Sequence, residues 1–383
     1  MKLRSLAVFT AMRSEYGPLK PLIEAVHRDP DFELRLLVGG GHFVPSLGNT
    51  VNEIKEDGFP IYRTFPFLKE GASHGDNFSL FFKDIYEYFV SDQPDLVIVL
   101  GDRIELLPLA NAALLAGVPL AHLSGGESTE GALDNQVRHA LTKLSNLHFP
   151  ATETYGKNLR SMGEEAWRIC VSGEPGLDPI TSMNFIPKDE LYKSLNIPGS
   201  KRLISTSFHP DTIGGRVDSG YLRELFETLT ENKDWFFLCT ASNPDPGGEA
   251  INTSLQDLAK TRPESMRFVP SLGKTRYYSV LRHADLVLGN SSSGIVEAQS
   301  FEVPVVNVGT RQQGRLANPN VLHTREGVDD IIQAMERALS TDFQQVFFGK
   351  PNIYGDGKSC ARILTFLKAV NKTQLLQKKD VFP

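Results

Sequence analysis

The stretch QPDLVIVLGDRIELLPLANAALLAG, residues 93–117, reads as a strand, a glycine turn and an apolar helix in direct succession. Pro94 and Gly101 bracket the run DLVIVL, and an apolar run from Leu96 to Leu100 without alternation is what a strand covered on both faces requires. Leu106–Ala116 then carries apolar residues at helical spacing, so the segment predicts one strand–turn–helix unit of a parallel sheet.

The same grammar extends in both directions. Strands are expected at Ser5–Thr10, Glu33–Val38 and Leu120–Leu123, with helices at Leu19–His27 and Leu80–Phe89. A second series starts after about Asp178, with strands at Arg202–Thr206, Trp235–Thr240, Leu286–Gly289 and Val305–Val308. Its helices are expected at Tyr221–Leu229, Ile251–Lys260, Thr275–Arg282 and Val328–Leu339. Between the series lies SMNFIPKDELYKSLNIPGSKR, residues 182–202, polar and proline-bearing, which reads as a linker with a short helix. The fold class expected is α/β, with two Rossmann-like, doubly wound parallel-sheet domains at 1–180 and 181–365. Two such domains facing across a cleft bring their strand C-termini to a shared ligand site.

Length and composition agree with that plan. A chain of 383 residues exceeds what one core usually organises, and 40% hydrophobic with 22% charged residues suits two packed domains. A net charge of −6 gives no general attraction to nucleic acid or to an acidic membrane surface. Cys170, Cys239 and Cys360 lie far apart and form no metal-ligand or disulfide spacing. Arg13 and Glu15 follow the first apolar run without a signal-peptide cleavage pattern, and no apolar run is long enough to cross a bilayer. A cytoplasmic location with reduced thiols is the expectation.

The sharpest motif of the second half is LVLGNSSSGIVEAQSF, Leu286–Phe301. A strand enters Gly289 and Asn290, then Ser291, Ser292, Ser293 and Gly294 precede a helical segment carrying Glu297. Serine hydroxyls and free amides at a helix start donate to a phosphate, and Glu297 suits ribose hydroxyls. The bland alternative is a serine cap. The motif is neither a Walker loop nor G-x-G-x-x-G. His209 and Asn243 follow other strands. Arg311 follows a third, and Arg13 follows the first strand of the chain, where a guanidinium fork suits a diphosphate.

The first half offers carboxylates. Asp102 sits on the glycine-marked strand end with Arg103 beside it, able to support the carboxylate or reach a phosphate. In AHLSGGESTEGALDNQVRHALTKLSNLHF, Gly125 and Gly126 turn the chain and Glu127 follows; Asp134, Arg138 and His139 open a helix. Asp134 and Arg138 share a helix face, and an ordinary i,i+4 ion pair is the plain alternative.

At this point the residues match a family. GDRIE, HLSGGESTEGALD, RHALTKLSNLHF, GNSSSGIVEAQSF and VNVGTRQQGR resemble the hydrolysing UDP-N-acetylglucosamine 2-epimerases of sialic-acid biosynthesis and their relatives, in family order and over most of the chain. The resemblance implies a glycosyltransferase B type fold whose last helix, placed at 366–383, crosses back to the first lobe. It implies elimination of UDP to a 2-acetamidoglucal, then hydration that inverts C2, with no cofactor and no metal. Asp102, Glu127 and Asp134 carry over for proton transfer, with Arg138 and His139 beside them and the identity of the C2 base left open. Arg13, His209, Ser291, Ser292, Ser293, Gly294, Glu297 and Arg311 carry over to UDP, with Arg103 and Asn243 as helpers. A homodimer or homotetramer is implied as well.

Ser124 stands where relatives commonly have Glu or His, and Asn135 where a second carboxylate is common. These departures leave one proton-transfer role to Glu127 or a water. UDP-N-acetylglucosamine is the expected substrate. The alternatives are the UDP-2,4-diacetamido-2,4,6-trideoxyglucose used toward legionaminic acid, a non-hydrolysing epimerase, a glycosyltransferase, or a non-catalytic sugar-nucleotide sensor.

Overall fold

The computed structural model describes residues 2–69, 71–128, 133–210, 217–242, 247–379 and 381. The chain divides into two compact units. One takes the described residues up to Ser128, Leu133–Thr181 and those from Ile353 onward; the other is Ser182–Asn352.

The first unit is built on six parallel strands: β1 (Ser5–Thr10), β2 (Glu33–Gly39), β3 (Ile61–Phe65), β4 (Leu96–Leu100), β5 (Leu120–Leu123) and β6 (Leu147–Phe149). They pair in the order β3-β2-β1-β4-β5-β6. Alternation along each strand feeds two separate cores, one on each face of the sheet. Leu6, Val8, Leu96 and Ile98 enter one, and Ala7, Phe9, Val97 and Val99 enter the other.

The second unit repeats the plan with β7 (Arg202–Ser207), β8 (Trp235–Thr240), β9 (Met266–Val269), β10 (Leu286–Gly289), β11 (Val305–Val308) and β12 (Val321–Thr324), ordered β12-β11-β10-β7-β8-β9. Counted from each unit's own first strand, the two orders are the same doubly wound 3-2-1-4-5-6. In such a sheet the connections leave in opposite directions from the first and fourth strands, opening a crevice beyond their C-terminal ends. That point is β1/β4 in the first unit and β7/β10 in the second.

The eight strands expected from apolar runs are present to within one residue at each end. The four not expected, β3, β6, β9 and β12, are the four sheet edges. Three of these edges carry partly or fully exposed residues, as Tyr62–Thr64 of β3 shows, while β6 is buried but only three residues long, so none of the four gives a continuous apolar run.

The end of the chain differs from expectation. In place of a helix over 366–383, helices run Ser359–Ala369 and Lys372–Leu375, broken where Val370 turns extended. The second unit also ends at Asn352, before the expected 365. The reason is local: the Tyr354 carbonyl accepts from Glu174 N at 2.8 Å, and Tyr354 Oη meets Tyr155 Oη at 3.1 Å. Asp178 then accepts from the backbone N–H groups of Ser359 and Cys360 at 2.8 and 2.7 Å, starting the helix on the first unit. Among the described residues no helix is long and apolar enough to cross a membrane.

Candidate active site

In the first unit one side chain, Arg138, meets both Asp102, beyond β4, and the backbone of Glu127, beyond β5. Gly101 takes a positive φ of 85° directly after β4, and its carbonyl accepts from His122 Nε2 at 2.7 Å. His122 is fully buried, and that burial pushes its pKa down to about 4, so at neutral pH it is an uncharged imidazole with the proton on Nε2. The glycines that follow are sterically required. A Cβ at Gly126, whose φ is 79°, would stand 2.4 Å from the Tyr155 carbonyl oxygen. This close turn delivers Glu127 to a buried position rather than onto an exposed loop.

Arg138, on the helix Leu133–Leu144, has a side chain only 1% exposed. Its Nη2 forms an ion pair with Asp102 Oδ2, and its Nη1 donates to the Glu127 carbonyl at 3.2 Å. One guanidinium therefore ties together the two segments that carry candidate carboxylates. Asp134 is exposed on the first turn of the same helix. His139 is half-buried, with its pKa lowered by burial and then by Arg138.

Two arginines have partners that their sequence did not suggest. Arg103 donates through Nε and Nη2 to Glu105 at 3.2 and 3.1 Å, which makes Arg138 the cation seen on Asp102. Arg13 belongs to the helix Arg13–Arg28 rather than to a loop, and its half-exposed side chain pairs with Glu53 at 3.2 Å. Ser124, at φ 61°, donates to Glu174 Oε1 at 2.8 Å, so the departure at this position is matched by a carboxylate from another segment.

Sequence reading missed Glu15, which looks like an ordinary first-turn acid. It is 3% exposed, and its Oε2 accepts from Ala11 N and Met12 N at 2.7 and 3.1 Å. Burial raises its pKa to about 7.

In the second unit the hub is Asn290, also missed as a functional position. Gly289 has φ 146°, and a Cβ there would lie 2.0 Å from the Ser207 carbonyl oxygen, so β7 and β10 approach too closely for any side chain. The fully buried Asn290 then accepts from His209 N at 2.7 Å and donates to His209 O at 2.8 Å. Its own carbonyl accepts from Arg311 Nη1 at 3.1 Å and Gln312 Nε2 at 2.9 Å. His209 and Arg311, expected together, are thus joined through one amide. Burial, then the nearby Arg311, brings the His209 pKa down to about 3, leaving a neutral ring whose Nδ1 lies 3.5 Å from Ser242 Oγ.

The serine run shows the cap reading and a further contact to Glu297. Ser291 caps the helix Ser292–Val296 by accepting from Ser293 N, which is the plain alternative realised. That helix starts earlier than expected and passes into a 3₁₀ turn at Ala298–Phe301. Ser293 does more than cap, because its hydroxyl donates to Glu297 Oε2 and meets Tyr277 Oη. Tyr278 Oη donates to Glu297 Oε1 at 3.0 Å. A pocket here is lined by Ser205, Ser207, Tyr277, Gly289, Ser291 and Gly294 among others. Ser292 is half-buried at the first helical position. Asn243 lies outside the described residues.

A family model described as UDP-N-acetylglucosamine 2-epimerase matches residues 24–368. The chain belongs to the UDP-N-acetylglucosamine 2-epimerase family. A GDP/UDP-N,N'-diacetylbacillosamine 2-epimerase (hydrolyzing) of Campylobacter jejuni is 34% identical over 385 residues, covering 100% of both chains. A UDP-N,N'-diacetylbacillosamine 2-epimerase (hydrolyzing) of Legionella pneumophila is 33% identical, covering 99% of this chain and 100% of its own. Among solved structures, the UDP-GlcNAc 2-epimerase of Neisseria meningitidis bound to UDP-GlcNAc superposes with a TM-score of 0.82 at 17% identity, over 95% of this chain and 99% of that one. The fold of this 2-epimerase family member is accordingly of the glycosyltransferase B type.

Proposed function

We propose that this 2-epimerase family member is a hydrolysing enzyme that takes UDP-N,N'-diacetylbacillosamine, a UDP-linked 2,4-diacetamido-2,4,6-trideoxyglucose, and water to UDP and the free 2-epimeric sugar. The observation that carries the choice of substrate is the similarity at 34% and 33% identity, along the whole chain, to two proteins named for that sugar and for hydrolysis. UDP-N-acetylglucosamine, the substrate expected from sequence motifs, becomes the second reading; the description of the matching family model keeps it in play.

The chemistry asks for a base at C2, a proton donor to the opposite face of C2 and a site that accepts the leaving diphosphate. In the first step a carboxylate removes the C2 proton, the C1–O bond breaks and its electron pair leaves with UDP, giving the glycal. In the second step a proton enters C2 from the other face while water adds its hydroxyl to C1. Asp102, Glu127 and Asp134 are assigned to these proton transfers, with Arg138 orienting Asp102 and His139 adjacent to it. The β10 segment, Ser291–Gly294 with Glu297, is assigned to UDP together with His209, Arg311, Arg13, Arg103 and Asn243. Two features of the second unit support this: a neutral His209 able to donate to an anion, and a carboxylate held among hydroxyls.

The test is turnover in deuterated water followed by proton NMR, with UDP-N,N'-diacetylbacillosamine, its GDP counterpart and UDP-N-acetylglucosamine supplied separately. The expected result is a free sugar with deuterium at C2 and UDP released from the diacetamido substrate. Turnover of UDP-N-acetylglucosamine alone would move the assignment to the second reading. An intact, epimerised nucleotide sugar would overturn hydrolysis itself.

A further inference from the structure

The helix Gly273–His283 presents two adjacent phenols to the Glu297 carboxylate, an arrangement that binding a phosphate does not require. The proton positions follow from counting donors. Ser293 has one hydroxyl proton and gives it to Glu297 Oε2, so at the Tyr277–Ser293 contact the phenol must be the donor. The result is a directed chain, Tyr277 to Ser293 to Glu297 Oε2, with Tyr278 donating independently to Oε1. Each carboxylate oxygen accepts from about two directions, so each keeps one acceptor site after these donors are placed. Two such sites on one rigid carboxylate match two neighbouring hydroxyls. Burial raises the pKa of Glu297, and the Ser293 and Tyr278 donors counter that rise.

We infer that Tyr278 and Ser293, the latter backed by Tyr277, are positioning residues that fix Glu297 as a two-oxygen acceptor for a vicinal diol, the ribose of a bound nucleotide. The inference rests on the UDP-sugar reading above and adds to it the residues that make ribose recognition specific. Tyr277 also lines the pocket with Ser207 and Ser291, which places the chain of hydroxyls beside the serine run.

The experiment is calorimetric titration of the full-length protein with UDP and with 2',3'-dideoxyuridine diphosphate. The wild-type protein should bind UDP at least about tenfold more tightly than the dideoxy analogue, the size expected for hydrogen bonds to a charged group. In Tyr278→Phe that ratio should fall to about threefold or less, with affinity for the dideoxy analogue unchanged, since only the reading of the diol is lost. Tyr277→Phe removes the phenol that directs the Ser293 proton to Glu297, and keeps the test available if Tyr278→Phe does not fold. An unchanged ratio in the variants, or an equal loss for both nucleotides, overturns the positioning role. A wild-type protein that binds the two equally overturns ribose recognition by Glu297, while one that binds neither overturns the UDP-sugar reading itself.

Discussion

Asp102 closes a strand of the first unit against the guanidinium of Arg138, whereas Glu297 follows a strand of the second unit and receives the hydroxyls of Ser293 and Tyr278. Asp102 lies just past the central strand β4 and Glu297 lies past the central strand β10 at the end of the short helix Ser292–Val296, so the difference lies in what the surrounding segments supply. A cation holds a carboxylate through charge and fork geometry, which suits a group whose position must survive proton traffic. Neutral donors hold Glu297 directly, with the Lys274 charge acting on it from beyond them, which suits a group that accepts from a neutral ligand. The two units therefore differ in the kind of direct partner each offers a carboxylate.

Breaking the cationic side should have the largest effect. Arg138→Met leaves Asp102 without its guanidinium and Glu127 without its tether; unfolding in denaturant should show a loss of about 3 kcal/mol, the lower end for breaking a buried pair, because the Asp102 side chain keeps 23% exposure. Turnover should fall as well, by at least as much as in an Asp102 variant. Wild-type stability in this variant would show that the pair contributes nothing. Asp102→Asn keeps the shape and an acceptor for Arg138 but can no longer take or give a proton, so if Asp102 carries one of the assigned transfers turnover should drop about thousandfold, within the range for general acid–base groups. UDP affinity should not change, since Asp102 is assigned to the sugar; a variant with near-normal rates would remove it from proton transfer.

How far this division could be read beforehand depended on the range of the interactions. Central strands such as Leu96–Leu100 and Leu286–Gly289 announce themselves because burial on both faces demands a continuous apolar run. The edge strands β3, β9 and β12 mix exposed with apolar residues and β6 spans only three residues, so no continuous apolar run marks them. The same holds for the site. Asp102, Glu127 and the serine run stand next to or just after glycines at strand ends, and His209 stands just beyond β7, which is a local signal. The Arg138–Asp102 pair spans 36 residues and the Asn290–His209 pair spans 81, and nothing local in either sequence names the partner. The i,i+4 spacing of Asp134 and Arg138 pointed within the helix, while Arg138 also reaches Asp102, just past β4, and the Glu127 carbonyl.

Glu15 supplies the third way of holding a carboxylate, and it sharpens the comparison because its support is the weakest. Its Oε2 has two backbone donors, but its buried Oε1 has no hydrogen-bond partner among the described residues. Burial dominates and raises the pKa from 4.5 to about 7. A folded-state pKa above the unfolded value means that, between those two pH values, the folded protein holds a proton the unfolded chain has lost. Stability must then fall as pH rises from about 4.5 to 7 and stay reduced above it, by on the order of 3 kcal/mol for a shift of this size. Glu15→Gln keeps an acceptor for the Ala11 and Met12 N–H groups and removes the titration. The variant should match the wild-type protein at pH 4 and exceed it by about 3 kcal/mol at pH 8 in paired denaturant unfolding curves. A constant difference between the two proteins across that range would mean that Glu15 ionises in the folded state as freely as in the unfolded chain, with Arg103 supplying the charge compensation that Arg138 gives to Asp102.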